Sequence, residues 1–150
     1  MEHEKTIDVL NKLVEINNDR IEGYETATKE TDEQELKSLF SQFAQTSLSC
    51  KQQLTDEIYK LGGNPTESTK ISGKFFRVWM DVKAALASND RKTILSSCEY
   101  GEDHAIDTYE KVLAEDLEYL SIVQQNMIRN QYSRIESDHN RIKAMRDVFV

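Results

Sequence analysis

The chain has 150 residues, enough for one domain with a sizeable apolar core. Its charged fraction of 31% and apolar fraction of 38% form the balance that long amphipathic helices with solvated outer faces produce. The net charge of −8 argues against binding to nucleic acid or to an anionic membrane surface. No apolar run approaches the roughly 18 residues of a membrane span, and MEHEKTID does not resemble a signal peptide. We therefore expect a soluble cytoplasmic protein with a single domain, residues 1–150.

Apolar residues at helical spacing predict a first long helix from about Lys5 to Lys29. A second helix is predicted to begin with a capping box formed by Asp32 and Glu35. The sequence LGGNP, residues 61–65, is predicted to end that helix through a glycine C-cap followed by proline. Because only a few residues join the two helices, we expect them to be antiparallel neighbours.

A third long helix is predicted to begin near Asp90, and a fourth follows a short break around residues 114–118. The 28 residues from 62 to 89 lie between the second and third helices, enough to run the length of a bundle. A shorter fifth helix is predicted inside this connection, over about residues 72–88. Two short hairpins joined by a long crossover indicate an all-α, ferritin-like four-helix bundle.

The predicted fifth helix carries three aromatic side chains on one face, Phe75, Phe76 and Trp79. Large aromatic side chains dominate the energetics of cores and interfaces, so all three cannot be comfortably exposed. Two interpretations stay open. The cluster packs on its own bundle under the crossover, or it forms a surface for a homodimer or another protein partner.

Five motifs carry a family resemblance: LNKLVEINNDRIEGYETA, LGGNP, FFRVWMDVKAA, SSCEYGEDHAIDTYEKVL and HNRIKAMRD. In this order they cover nearly the whole chain. Together they resemble a bacterial family of ferritin-like four-helix-bundle proteins without an assigned function. The resemblance implies a ferritin-like fold and a cytosolic protein, and it implies no activity.

The sequence RIESDHNRI, residues 134–142, contains a Glu-x-x-His motif, the spacing with which ferritin-like bundles present iron ligands to their core. Glu102 precedes Glu136 and His139 at a separation that resembles the ferritin-like spacing. These three residues are the candidate metal ligands. The N-terminal half lacks the matching set, because Asn17 stands where a second Glu102 is expected and the second helix has no His.

Helical geometry gives an alternative interpretation of the same residues. At about 100° per residue, Glu102 and Asn17 fall near the centres of their apolar faces. Asp138 points inward, His139 lies at the edge of the face, and Glu136 points outward. This arrangement favours a buried polar layer of Asn17, Ser47, Glu102 and Asp138 or His139 over a metal site, because buried polar groups satisfy one another.

Three classes of function remain. The sequence favours a non-enzymatic bundle without a cofactor that acts through protein contacts or self-association, with stress physiology as one setting. The alternative is a metal-binding or redox protein in which half of a di-iron site holds iron or another divalent metal. The third is a carrier of a small apolar ligand, supported by the small residues Ala44, Ser47 and Ala105. No catalytic motif indicates an enzyme of another class.

Overall fold

A computed structural model describes residues 2–67 and 91–147 of the chain, and these residues form long α-helices without any strand. The predicted all-α class is confirmed. The predicted fifth helix and its aromatic residues Phe75, Phe76 and Trp79 lie outside the described residues. None of the described helices is long and apolar enough to cross a membrane. The helices are α1 (Glu2–Glu30), α2 (Gln34–Lys60), α3 (Arg91–Glu115) and α4 (Ile122–Asp147), with a 3₁₀ turn at Leu117–Tyr119 between α3 and α4.

The connection between α1 and α2 differs from the prediction. Helix α2 begins after Glu33, whose extended backbone makes it the N-cap, and no side chain caps the helix. The predicted capping box is therefore wrong, because Asp32 lies one residue before the N-cap position. The Thr31 hydroxyl instead accepts a hydrogen bond from the backbone amide of Glu33 at 3.2 Å.

The C-terminus of α2 has the glycine cap that LGGNP predicts. Gly62 adopts a positive φ of 80°, in the left-handed region that glycine enters without steric cost. The amide of Gly62 donates to the carbonyl of Tyr59, and the amide of Gly63 donates to the carbonyl of Ile58, each at 3.0 Å. This pair of bonds is the Schellman motif, which satisfies the last carbonyl groups of a helix.

Replacing the capping glycine tests this conformation. We expect Gly62→Ala to lower the free energy of unfolding by about 1 kcal/mol, because a Cβ atom disfavours the left-handed region. No heavy atom lies within 4 Å of the position that the new Cβ would take, so the loss comes from the backbone alone. Urea denaturation measures it. An unchanged or increased stability would contradict the assigned cap.

Contacts between side chains give the directions of the helices. Along α1 and α3, Asn17 pairs with Tyr109 and Tyr24 pairs with Glu102, so the residue numbers rise on one helix as they fall on the other. The two helices are therefore antiparallel.

Helices α2 and α4 are also antiparallel. The Gln131 side chain of α4 donates to the Cys50 carbonyl of α2, and the Arg141 side chain of α4 donates to the Gln42 side chain of α2. Since α1 and α2 form a hairpin, α2 and α3 run in the same direction.

The segment that follows α2 runs back along α1. Thr66 donates its amide to Asn11 Oδ1 at 2.9 Å, and its carbonyl accepts from Asn18 Nδ2 at 3.3 Å. Gly63, three residues before Thr66, lies next to Ile7. A Cβ atom added at Gly63 would approach the Ile7 side chain to 2.8 Å. Residues 63–66 thus run along α1, from the level of Ile7 toward Asn18.

The apolar core consists of two clusters that lie one behind the other along the bundle. The first cluster lies toward the N-terminus of α1 and the C-terminus of α2, and the second lies toward the opposite ends of these helices. Buried polar residues separate the two clusters on α1, α2 and α3, and the half-buried Asp138 lies between them on α4. The first cluster includes Leu10, Leu13, Leu54, Ile58, Tyr109, Val112, Ile128 and Ile135. The second includes Tyr24, Leu36, Phe40, Phe43, Ile94, Leu95, Cys98 and Ile142.

Candidate functional site

A buried arginine, Arg20, lies between the two apolar clusters. It follows Leu13 by seven residues and Asn17 by three, and it precedes Tyr24 by four, so the helical repeat places all four on one face of α1. That face is turned into the core, and the Arg20 side chain is 1% exposed. A charged side chain is almost never buried so fully unless it is paired.

The guanidinium group of Arg20 contacts each of the other three helices. Its Nη1 donates to Ser47 Oγ of α2 at 2.6 Å. Its Nη2 donates to Glu102 Oε1 of α3 at 2.6 Å and to Asp138 Oδ2 of α4 at 3.3 Å. We refer to Arg20, Tyr24, Ser47, Glu102 and Asp138 as the Arg20 layer. One planar cation thereby fixes four helices relative to one another.

Glu102 is the main negative partner in the Arg20 layer. Its side chain is fully buried, and Oε1 also accepts a hydrogen bond from the Tyr24 hydroxyl. Burial and the nearby carboxylate of Glu102 raise the pKa of Tyr24 well above its usual value. Burial alone would lower the pKa of Arg20. The charge of Glu102 outweighs this effect, so the pKa of Arg20 lies above its usual value and the side chain stays protonated. The two residues form a buried ion pair.

Asp138 connects the Arg20 layer to solvent. Its side chain is 17% exposed, in contrast to Arg20 and Glu102. Burial raises the pKa of Asp138, the guanidinium of Arg20 opposes this shift, and the charge of Glu102 adds to it. The layer thus contains one cation, one fully buried carboxylate and one carboxylate at its edge.

A second buried network lies directly next to the Arg20 layer, and we call it the Tyr109 network. Asn17 Nδ2 donates to the Tyr109 hydroxyl at 2.9 Å, and that hydroxyl donates to Gln131 Oε1 at 2.8 Å. Gln131 Nε2 then donates to Gln53 Oε1 at 3.0 Å and to the Cys50 carbonyl at 3.3 Å. Like the Arg20 layer, this network includes residues of all four helices.

Both cysteines of the chain are free and buried. Burial raises the pKa of the Cys50 thiol, which lies beside the Tyr109 hydroxyl. Burial and the charge of Glu102 raise the pKa of the Cys98 thiol. Thiols with a raised pKa are poor nucleophiles and poor metal ligands.

The three candidate metal ligands make separate contacts. Glu102 pairs with Arg20, as described above. His139 Nε2 lies 2.8 Å from Asp103 Oδ1 and 3.8 Å from Glu99 Oε1. Glu136 is exposed and accepts a hydrogen bond from the Tyr132 hydroxyl at 3.0 Å. Among the described residues, no three His, Cys, Asp or Glu side chains are grouped so that they could hold a metal ion.

The four residues predicted for the polar layer all lie at this level of the bundle. Asn17, Ser47 and Glu102 are buried, and Asp138 lies at the edge. Three of the four bind the Arg20 guanidinium, and Asn17 belongs to the Tyr109 network. The structure also adds residues that the sequence interpretation did not name as members of the layer: Arg20, Tyr24, Tyr109 and Gln131.

Arg20 is the most important of these residues, and the sequence contains the signal that identifies it. Counting by three and four residues from Leu13, Asn17 and Tyr24 places Arg20 on the apolar face of the first helix. A charged residue at such a position needs a buried partner, and Glu102 at the centre of the third helix is the matching residue. An inward arginine and an inward glutamate together indicate an ion pair.

The fold and the site define an all-helical protein with an ion pair at the centre of its core. The chain belongs to the family described as "Domain of unknown function (DUF2383)", whose model matches residues 5–115. The match includes Arg20, Tyr24, Ser47 and Glu102, and it ends before α4. No curated protein matches the chain.

Proposed function

We propose that this protein is a non-enzymatic, ferritin-like helical bundle that acts in the cytoplasm through contacts with other proteins or with a second copy of itself. The observation that carries the proposal is the position of the Arg20 guanidinium, which binds Glu102, Ser47 and Asp138 at the centre of the bundle. A ferritin-like protein with redox chemistry holds metal ions between carboxylates at this level.

The charge of Arg20 supports the absence of a resident metal from this layer. Carboxylates that bind a divalent cation need its positive charge for compensation, and here the guanidinium already supplies positive charge to Glu102. A metal ion near Nη2 would meet electrostatic repulsion from a cation that is buried and permanently protonated. The Arg20 layer can therefore be understood as a structural replacement for a metal centre.

The directions of the helices support the ferritin-like assignment. Helices α1 and α2 form one antiparallel hairpin, α3 and α4 form the other, and α2 and α3 run in the same direction. Ferritin-like bundles have this arrangement, with one long crossover between the hairpins. Residues 63–66 run along α1 in the direction that the crossover requires.

The metal content of the purified protein tests the non-metal assignment. We expect iron, manganese and zinc each to be far below one equivalent in protein purified without chelators, and iron not to accelerate oxygen consumption. Elemental analysis and an oxygen electrode make these measurements. Tight one-to-one binding that is lost in His139→Ala and Glu102→Ala, but kept in the exposed control Glu136→Ala, would instead support the metal-binding alternative.

The aromatic face that the sequence predicts at Phe75, Phe76 and Trp79 is the proposed surface for self-association. A homodimer buries such side chains, which contribute most of the binding energy at interfaces. We expect wild-type protein to form dimers and Trp79→Ala to shift the measured molar mass toward the monomer. Light scattering at several concentrations gives the molar mass. The exposed Tyr59→Ala, on α2, is the matched aromatic control and should leave the dimer intact.

A molar mass that is the same for wild type and for Trp79→Ala would argue against this surface. If chemical denaturation then showed that Trp79→Ala is less stable than the wild type, the cluster would be part of the protein's own core. Molar mass and stability together separate the interface from the core.

A further inference from the structure

Three buried polar atoms at the junction of the Arg20 layer and the Tyr109 network have no hydrogen-bond partner within the described part of the chain. They are Arg20 Nε, Glu102 Oε2 and Asn17 Oδ1. All three residues are at least 99% buried. Buried polar groups nearly always have partners, and one left without a partner costs its full desolvation penalty. Three such atoms at one level of the core therefore indicate a bound molecule.

The three atoms come from neighbouring positions. Asn17 and Arg20 are one turn apart on α1, where Cβ atoms are about 5–6 Å from each other. Glu102 is linked to Arg20 directly, since its Oε1 lies 2.6 Å from Nη2. A molecule that bridges two protein atoms through two hydrogen bonds can join atoms up to about 5.5–6 Å apart. Because the three residues are neighbours in the core, one small molecule can contact all of them.

The chemistry of the three atoms identifies the molecule. Arg20 Nε carries a hydrogen and can only donate, whereas Glu102 Oε2 and Asn17 Oδ1 can only accept. The ligand must therefore accept one hydrogen bond and donate two. A metal cation cannot accept from Nε, and an anion without a hydroxyl group cannot donate to the two oxygens. Water does both, and three hydrogen bonds are typical of a buried water.

We infer that the core holds one internal water molecule that accepts from Arg20 Nε and donates to Glu102 Oε2 and Asn17 Oδ1. This water joins the Arg20 layer to the Tyr109 network through Asn17, whose Nδ2 already donates to the Tyr109 hydroxyl. The bonds then form one continuous chain from Asp138, at the solvent edge, to Gln53 on α2. The inference concerns the polar core alone and stands whether or not the proposed function is correct.

A crystal structure of the wild-type protein at about 1.5 Å resolution tests the site directly. We expect a single density peak of a water within hydrogen-bond distance, up to about 3.2 Å, of all three atoms. In solution, we expect a nuclear Overhauser cross-peak between water and the Nε hydrogen of Arg20, with the sign of a long-lived contact. A side-on pair in which Arg20 Nε donates directly to Glu102 Oε2, without density between them, would overturn the inference.

A variant that removes one acceptor gives a second test. We expect Asn17→Leu to lose the water cross-peak at Arg20 and to have one fewer long-lived water by magnetic relaxation dispersion. Asn11→Ala is the matched control, because Asn11 is an asparagine of the same helix that bonds to residues 64 and 66 outside the core. The control should keep the full count. An equal loss in both variants, or a cross-peak retained in Asn17→Leu, would contradict the assigned position.

Discussion

Glu102→Leu is expected to lower the free energy of unfolding by about 3–5 kcal/mol, the largest effect of any single substitution in the polar core. The substitution leaves the guanidinium of Arg20 buried without its main counter-charge, and it removes the acceptor of the Tyr24 hydroxyl. Asp138 offers only a longer contact of 3.3 Å at the edge of the layer. Urea denaturation followed by circular dichroism measures the loss.

The matching double variant separates the ion pair from the packing around it. We expect Arg20→Met combined with Glu102→Leu to be more stable than Glu102→Leu alone, because the uncompensated charge is then gone. The double-mutant cycle should show a coupling of about 0.5–3 kcal/mol, the range for residues in one buried network. Additive losses, or a loss below about 1 kcal/mol in Glu102→Leu, would show that the two charges are not a buried pair.

Phe40→Ala is also expected to lower the free energy of unfolding by about 3–5 kcal/mol, the usual range for truncation of a core phenylalanine. Phe40 is fully buried in the second apolar cluster, and its ring stacks on that of Tyr24 at a centroid distance of 5.8 Å. Truncation removes this contact and leaves a cavity under a residue of the Arg20 layer. Chemical denaturation gives the change in stability.

The control for Phe40→Ala is Leu48→Ala on the same helix. Leu48 is 39% exposed, so its truncation should cost far less than the truncation of Phe40. If the two variants lost similar amounts of stability, α2 would not present to the core the face that the structure assigns to it.

Helical periodicity was sufficient to predict the four long helices and the hairpins, because each helix has an apolar face that must be buried. The start of α2 was predicted less well. Asp32 and Glu35 match the capping pattern, but the pattern does not determine which residue leaves the helical conformation first. In the structure Glu33 does so. Local sequence signals of this kind are weak, and neighbouring contacts such as the one from Thr31 decide between them.

The sequence also predicts the candidate site only in part. Helical geometry placed Glu102, Asn17 and Asp138 on inward faces, and each of them lies in or beside the core. Their partners depend on the distances between helices, which periodicity within one helix does not contain. The contact between Arg20 and Glu102 joins residues 82 positions apart in the chain. It follows from the packing of α1 on α3, and only a search for opposite charges on inward faces would have suggested it.

The division of the core by a polar layer has a consequence for how the sequence can change. Side chains of one apolar cluster pack on one another, whereas the Arg20 layer stands between them and the other cluster. Energetic coupling between substitutions requires contact or shared partners. Substitutions at Phe40 and Leu54, on opposite sides of the layer, should therefore have additive effects. Each end of the bundle is then free to evolve, or to be redesigned, with little regard to the residues at the other end.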